Sequence, residues 1–196
     1  MAISAPINPG IVRKLTQAGL LRQGHFAYRS GLHTSVMVSR DRLLADPNSA
    51  SQMGYALAKA FFTAKVDTVA TPSMWGAGLA QWVAWFLEPR ANVIFATPTP
   101  GGDLDIARNL HDLVVGKRIL LVDNLIFTGD TMRQIEQLVT SLGGQVVGIG
   151  CLWSSTSRDI NDRDVVGLLN ESFPSWESTD CPLCDTQEIE LESLPW

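Results

Sequence analysis

Along this chain, short runs of branched apolar residues alternate with stretches in which apolar positions return every three or four residues. The first rhythm belongs to strands buried on both faces and the second to amphipathic helices. Val66 to Ala70, Ala91 to Ala96, Arg118 to Val122 and Gln145 to Leu152 read as such strands. Between them, Asn48 is placed to cap a long helix in which Met53, Leu57, Ala60, Phe61 and Ala64 recur at helical spacing. Gly76 to Leu87 reads as a second helix. A third, Thr131 to Leu142, turns Met132, Ile135, Leu138 and Leu142 inward and ends at Gly143-Gly144. Leu104, Ala107, Leu110 and Val114 follow a weaker helical pattern. Toward the N-terminus, Ile11 to Leu21 predicts a short helix, and Gly24 to Arg29 and His33 to Val38 predict two strands turning at Ser30-Gly31. Beyond Ser154 the pattern degrades into polar sequence punctuated by Pro and Trp.

Strands alternating with helices predict an α/β fold whose central sheet is mainly parallel and flanked by helices, with a small N-terminal hood. The expected division is a helix and hood strands over 1–45, a core over 46–155, and a tail over 156–196. Right-handed crossovers would gather loops 71–76, 97–103 and 123–131 at the carboxyl ends of the strands, where open sheets bind ligands.

Composition narrows this picture in three ways. A net charge of −5 provides no electrostatic footprint for nucleic acid, so a polyanion site must rest on a few placed cations and backbone amides. The most apolar helix candidate, Trp75 to Leu87, is too short to span a bilayer, so no membrane association is expected. Met1 to Gly10 carries two prolines and no apolar signal-type stretch, and three cysteines without such a signal point to a reducing cytoplasm.

The chemistry concentrates in Gly116 to Met132. There a buried-type strand stops at the carboxylate of Asp123, and Thr128-Gly129-Asp130-Thr131 opens a helix. Loop amides and a helix dipole favour a phosphate, while a carboxylate accepts hydrogen bonds from sugar hydroxyls. That combination predicts a site for a phosphorylated sugar.

Val122-Asp-Asn-Leu-Ile-Phe-Thr-Gly-Asp-Thr131 resembles the phosphoribosyl-diphosphate (PRPP) loop of type I phosphoribosyltransferases. Gly24 to Ser35, with Arg29 before Ser30-Gly31, is similar to the hood of the orotate-using branch, and Asp67 to Ala80 to its diphosphate loop. The resemblance spans roughly residues 10–155 and implies a type I phosphoribosyltransferase-like fold. It also implies transfer of ribose 5-phosphate from PRPP to a ring nitrogen of a base, with release of diphosphate, and binding of PRPP or a nucleotide monophosphate with Mg²⁺. On this resemblance Asp123 and Asn124 are the candidate catalytic positions. Thr128, Gly129, Asp130 and Thr131 would hold the 5-phosphate, Ser73, Trp75 and Gly76 would approach the diphosphate, and Arg29 would reach it from the hood. Phe127, Ser30 and Gly31 fall near the expected base. A homodimer is the expected assembly.

Several positions depart from the family pattern. Asn124 stands where a second acid is usual, Asp130 places a carboxylate inside the phosphate loop, and Phe127 weakens support for a purine. Loop 97–103 has no Lys or Arg where orotate-using enzymes carry a basic mobile loop, and Trp153-Ser154-Ser155 replaces the expected base-binding Arg. A charge-assisted hydrogen bond to a buried anion is worth roughly 1.5–3 kcal/mol. Loss of one oxyanion-type donor typically costs about 10²–10³ in rate. These departures leave open a non-catalytic relative that binds or regulates.

Cys181-Pro-Leu-Cys184 has the spacing of a metal knuckle but supplies two ligands where structural zinc needs four. The pair is expected to mark a structural turn, with a metal site completed by another subunit and redox chemistry as the lesser alternatives. His25 and His33 are expected to pack or face solvent. Trp75, Trp82, Trp85 and Phe86 gather around one helix and read as core or dimer interface.

Overall fold

In a computed structural model, the structure describes residues 13, 21–28, 31–155, 160–170, 174–186 and 189–194. The expected helix Ile11 to Leu21 falls almost entirely outside these residues; Leu21 itself begins a strand.

Two hood strands, β1 (Leu21–Ala27) and β2 (His33–Val38), pair antiparallel. The core sheet then assembles from β3 (Thr68–Thr71), β4 (Asn92–Phe95), β7 (Arg118–Ile126), β8 (Gln145–Ser154) and β9 (Val165–Asn170), after a small hairpin of β5 (Thr97–Pro98) and β6 (Leu104–Asp105). Its order is β4-β3-β7-β8-β9, and every neighbouring pair is parallel. The α/β architecture with a hood is thus the one expected from the sequence pattern.

Burial explains why β7 is central. Ile119, Leu120, Leu121 and Val122 are all fully buried. Their side chains alternate between faces, as a strand requires. Leu120 and Val122 join a cluster with Val69 of β3 and with Leu57, Leu79 and Val83 from the helices Pro47–Ala60 and Ala77–Phe86. Ile119 and Leu121 join the opposite cluster with Ile94, Met132, Ile135 and Val139, the last three from the helix Asp130–Ser141. A strand covered on both faces has no room for polar side chains in its middle, so the polar residues of β7 fall at its ends, Arg118 at one and Asp123 and Asn124 toward the other.

Several local expectations are corrected. Strand β7 does not stop at Asp123 but continues through Asn124 to Ile126, because β8 runs on beside it and pairs with it as far as Ser154. The long helix is capped by Asp46, whose carboxylate accepts from the backbone N–H groups of Asn48 and Ser49, with Pro47 in its first turn. That helix ends at Ala60, which is exposed. Residues 104–114 form β6 and a six-residue 3₁₀ turn, Arg108–Leu113, instead of an α-helix.

The segment beyond 155 is more than a wrapping tail. It supplies β9 to the core sheet, and β10 (Ser175–Trp176) and β11 (Leu191–Ser193) to the hood sheet, whose order is β10-β2-β1-β11.

Candidate functional site

Because β3 and β7 are parallel neighbours, their following loops leave the same edge of the sheet side by side. After β3, Ser73 is extended and Met74–Gly76 makes one 3₁₀ turn into the next helix. Gly76 is needed there: a Cβ on it would collide with Thr71 Oγ1 and lie 3.3 Å from Asp123 Oδ1. The glycine lets this turn settle onto the carboxyl end of β7.

Asn124, near the end of β7, ties that strand to the loop after β3. Its Nδ2 donates to the backbone carbonyl of Trp75 at 2.9 Å, while the Asp123 carboxylate accepts from the Asn124 backbone N–H at 2.7 Å. The Asn124 side chain is buried and its Oδ1 has no hydrogen-bond partner among the described residues. The carboxylate that the family pattern would place here could not donate to Trp75, so the amide accounts for the departure at this position. Asp123 remains partly exposed, above the fully buried Cys151 of β8. Burial and the nearby Asp123 charge push the Cys151 thiol well up, which keeps it protonated and unreactive.

Past β7, the loop turns through Gly129 in the left-handed region at φ 83°, with Ile160 filling the space a side chain would need. Gly129 stands at the N-cap of the helix that starts at Asp130 and offers no side chain, while Thr128 Oγ1 accepts from the Asp130 N–H at 3.3 Å. The N-terminus of that helix presents backbone N–H groups and the positive end of the dipole. Thr128 Oγ1 donates to Asp130 Oδ2 at 2.7 Å, and Arg133 Nη1 donates to Asp130 Oδ1 at 2.7 Å and to the Thr128 carbonyl at 3.1 Å. The Asp130 carboxylate, unfavourable beside a phosphate in isolation, is thus offset by a cation one helical turn away. Arg133 went unnoticed in the sequence, although its i,i+3 spacing from Asp130 was visible there.

Phe127 sits edge-on between Tyr28 at the end of β1, 5.1 Å between ring centroids, and Trp153 of β8 at 5.2 Å. This aromatic stack connects the hood to the core beside the loop. Gly31 closes the hood hairpin at φ 89°, donating to the Tyr28 carbonyl. Arg29 and Ser30 lie outside the described residues. Loop 97–103 is a compact turn between β5 and β6, held by bonds between Thr99 and Asp103 and from Gly102 to Thr99. Trp75 and Met74 are largely exposed at the rim. Cys181 and Cys184 lie away from these loops, against His25 and His33 of the hood.

Two loops converging at the carboxyl edge of a parallel sheet, one ending in a helix N-terminus, are the layout of an α/β protein that works at its strand ends. The model of the phosphoribosyl transferase domain matches residues 39–180, and the chain belongs to that family of transferases. The chain is 33% identical over 179 residues to an orotate phosphoribosyltransferase of Thermus thermophilus, covering 91% of this chain and 96% of that one. It is 30% identical over 176 residues to the orotate phosphoribosyltransferase of Desulforamulus reducens, covering 89% and 90%. Among solved structures, orotate phosphoribosyltransferase from Mycobacterium tuberculosis shares the fold, with a TM-score of 0.63 at 14% identity over 84% of this chain and 96% of that one. The resemblance to orotate-branch type I phosphoribosyltransferases drawn from the sequence is therefore correct.

The tie between the loops generates a counter-intuitive expectation. Asn124→Asp restores the family's usual acid but sets a carboxylate against the Trp75 carbonyl. Chemical denaturation should show a loss of roughly 1–3 kcal/mol, with no gain in activity. A variant as stable as the parent would show that the bond to Trp75 does not hold the loop.

Proposed function

We propose that this protein binds PRPP at the paired loops and transfers its phosphoribosyl group to a pyrimidine base of the orotate type, releasing diphosphate. The observation that carries this reading is the Asn124–Trp75 bond, which ties the loop after β3 to the carboxyl end of β7, from which the 127–131 loop leaves. One ligand bearing both a diphosphate and a 5-phosphate would bridge them. The names of the relatives supply the base.

In this reading Asp123 accepts hydrogen bonds from the ribose hydroxyls and orients the ring. Backbone amides of 128–131, with the Thr128 and Thr131 hydroxyls, hold the 5-phosphate, and Arg133 neutralises Asp130 at that loop. Backbone groups of Ser73 to Gly76 face the diphosphate, with Arg29 reaching it from the hood. Phe127 lies beside the base, with Ser30 and Gly31 at the hood turn above it. Magnesium would arrive as part of the PRPP complex, sharing the charge of the leaving diphosphate. No group of three or more metal-type ligands surrounds Asp123 among the described residues, which supports a substrate-borne ion over a resident one. Cleavage of the bond between ribose C1 and the diphosphate oxygen, whose electron pair leaves with diphosphate, gives C1 oxocarbenium character, and the ring nitrogen of the base bonds to C1 as its N–H proton passes to diphosphate or solvent.

The compact 97–103 turn supplies no cation, so stabilisation of the diphosphate rests on magnesium and backbone amides. That turn is also the observation favouring a second reading, a module that binds the same ligand without turnover.

Two further proposals accompany this reading. All three cysteines are unpaired, which supports a reducing compartment such as the cytoplasm. Tyr55, Phe62 and Phe86 meet edge-to-face, and Trp82 stacks on Phe86, forming an aromatic surface in which Tyr55 is 49% exposed. We propose that a second copy covers this surface.

The function is tested by following diphosphate release from Mg²⁺–PRPP over a base panel, with PRPP affinity measured by calorimetry. Orotate should support turnover, and Asp123→Asn should weaken PRPP binding about 10- to 100-fold, as the loss of charge-assisted bonds predicts. Binding without turnover on any base would overturn the transferase reading in favour of the binding module. Absence of PRPP binding would overturn both. For the assembly, sedimentation velocity at micromolar protein should show a dimer that Tyr55→Glu dissociates; a monomeric parent chain would refute it.

A further inference from the structure

We propose that the chain carries a structural zinc ion bound by His25, His33, Cys181 and Cys184, which clasps the C-terminal segment to the hood. This inference does not depend on the function proposed above.

The four ligand-type atoms come from segments far apart in sequence yet all lie within 4.8 Å of one another. His25 Nε2 is 3.0 Å from His33 Nδ1, 3.4 Å from Cys181 Sγ and 3.6 Å from Cys184 Sγ, and His33 Nδ1 is 3.3 Å from Cys184 Sγ. A tetrahedral ion with Zn–N of about 2.0–2.1 Å and Zn–S of about 2.3 Å would separate its ligands by roughly 3.4 Å for N–N and roughly 3.6 Å for N–S. The observed spacings fall within a few tenths of an ångström of those edges.

Hydrogen bonding alone does not account for the cluster. One imidazole nitrogen carries either one proton or one lone pair, so His25 Nε2 cannot properly bond three neighbours at once. Ring nitrogens and thiols aimed at one point share a need for a central cation. His25, His33 and Cys181 are 3%, 5% and 1% exposed, so water is not available to satisfy them instead.

The surrounding fold shows why the four meet. His33 pairs with Ala27 across the hairpin, and His25 stands two residues before Ala27, where the register of the hairpin is irregular between Gln23 and Phe26. The two imidazoles meet there with ring centroids 5.0 Å apart. The knuckle closes on itself through the Cys184 N–H, which donates to the Cys181 carbonyl at 3.0 Å. On either side of it, β10 pairs with β2 and β11 pairs with β1. The cysteines thus arrive between two strands that the hood already holds.

The hood also needs such a staple. Its buried apolar cluster is Phe26, Met37 and Leu194, with Tyr28 packed against it, among the described residues. A sheet with so small a core is stabilised by a metal in the manner of other small modules. Two thiolates and two imidazoles in tetrahedral array select zinc, and with four protein ligands the site is closed and structural, not catalytic.

The test uses the full chain produced without a histidine tag and kept reduced. Elemental analysis should find one zinc per chain. After removal by a chelator, cobalt(II) should restore a site with the intense visible bands of tetrahedral coordination and a thiolate-to-cobalt charge-transfer band. Cys184→Ser, the mildest change because that side chain is only half-buried, should lower zinc affinity at least about 100-fold and remove most of the charge-transfer intensity. The parent chain provides the result even if the variant fails to fold. A folded, reduced parent that binds neither zinc nor cobalt at micromolar concentration would overturn the proposal, as would a six-coordinate cobalt spectrum. Zinc retained undiminished by folded Cys184→Ser would equally overturn it.

Discussion

Parallel pairing of two strands buried on both faces governs the rest of this molecule. Val69 and Ala70 of β3 and Ile119 to Val122 of β7 are sealed between helical layers, and β3 pairs with β7 over Thr68 to Ala70. Polar groups are excluded from such strands until they emerge, and parallel strands emerge together at one edge. The loop carrying Gly76 and the carboxyl end of β7 carrying Asp123 are therefore neighbours by topology before any side chain joins them. Asn124 then converts proximity into a fixed arrangement by bonding to Trp75.

The same logic explains how much of the core was legible in the sequence. The alternation of branched apolar runs and helical spacing located β3, β4, β7 and β8 and the three main helices, because each buries a continuous face. Strand β9 escaped because it follows the polar run Asn161-Asp-Arg-Asp164, in a segment where the apolar pattern has already degraded. Residues 104–114 misled because Leu104, Leu110 and Val114 do pack inward, but from β6, a 3₁₀ turn and the residue after that turn, not from one α-helical face. The end of β7 was misplaced for a related reason. Polar Asp123 and Asn124 look like a strand terminus, whereas pairing with β8 sets the true one at Ile126.

The candidate site was legible where local sequence carries the chemistry and obscure where it depends on long-range contact. Thr128 to Thr131 could be recognised from their order alone. The use of the Asn124 amide could not, because its partner lies 49 residues away. The hood cluster is the extreme case: Cys181-Pro-Leu-Cys184 was visible as an incomplete knuckle, while its partner His25 stands 156 residues from Cys181 and becomes a neighbour only through strand pairing. Phe127, between Tyr28 and Trp153, connects that hood to the loop after β7, so the order of the hood and the shape of the site are physically linked.

The central claim is that the loops after β3 and β7 form one receptor for a phosphorylated sugar. Hydrogen–deuterium exchange of the full chain, with and without saturating Mg²⁺–PRPP, tests it most directly. Slower exchange confined to peptides covering 73–78 and 127–132 is the predicted result. Unchanged exchange in both segments, with protection elsewhere in the chain, would contradict it.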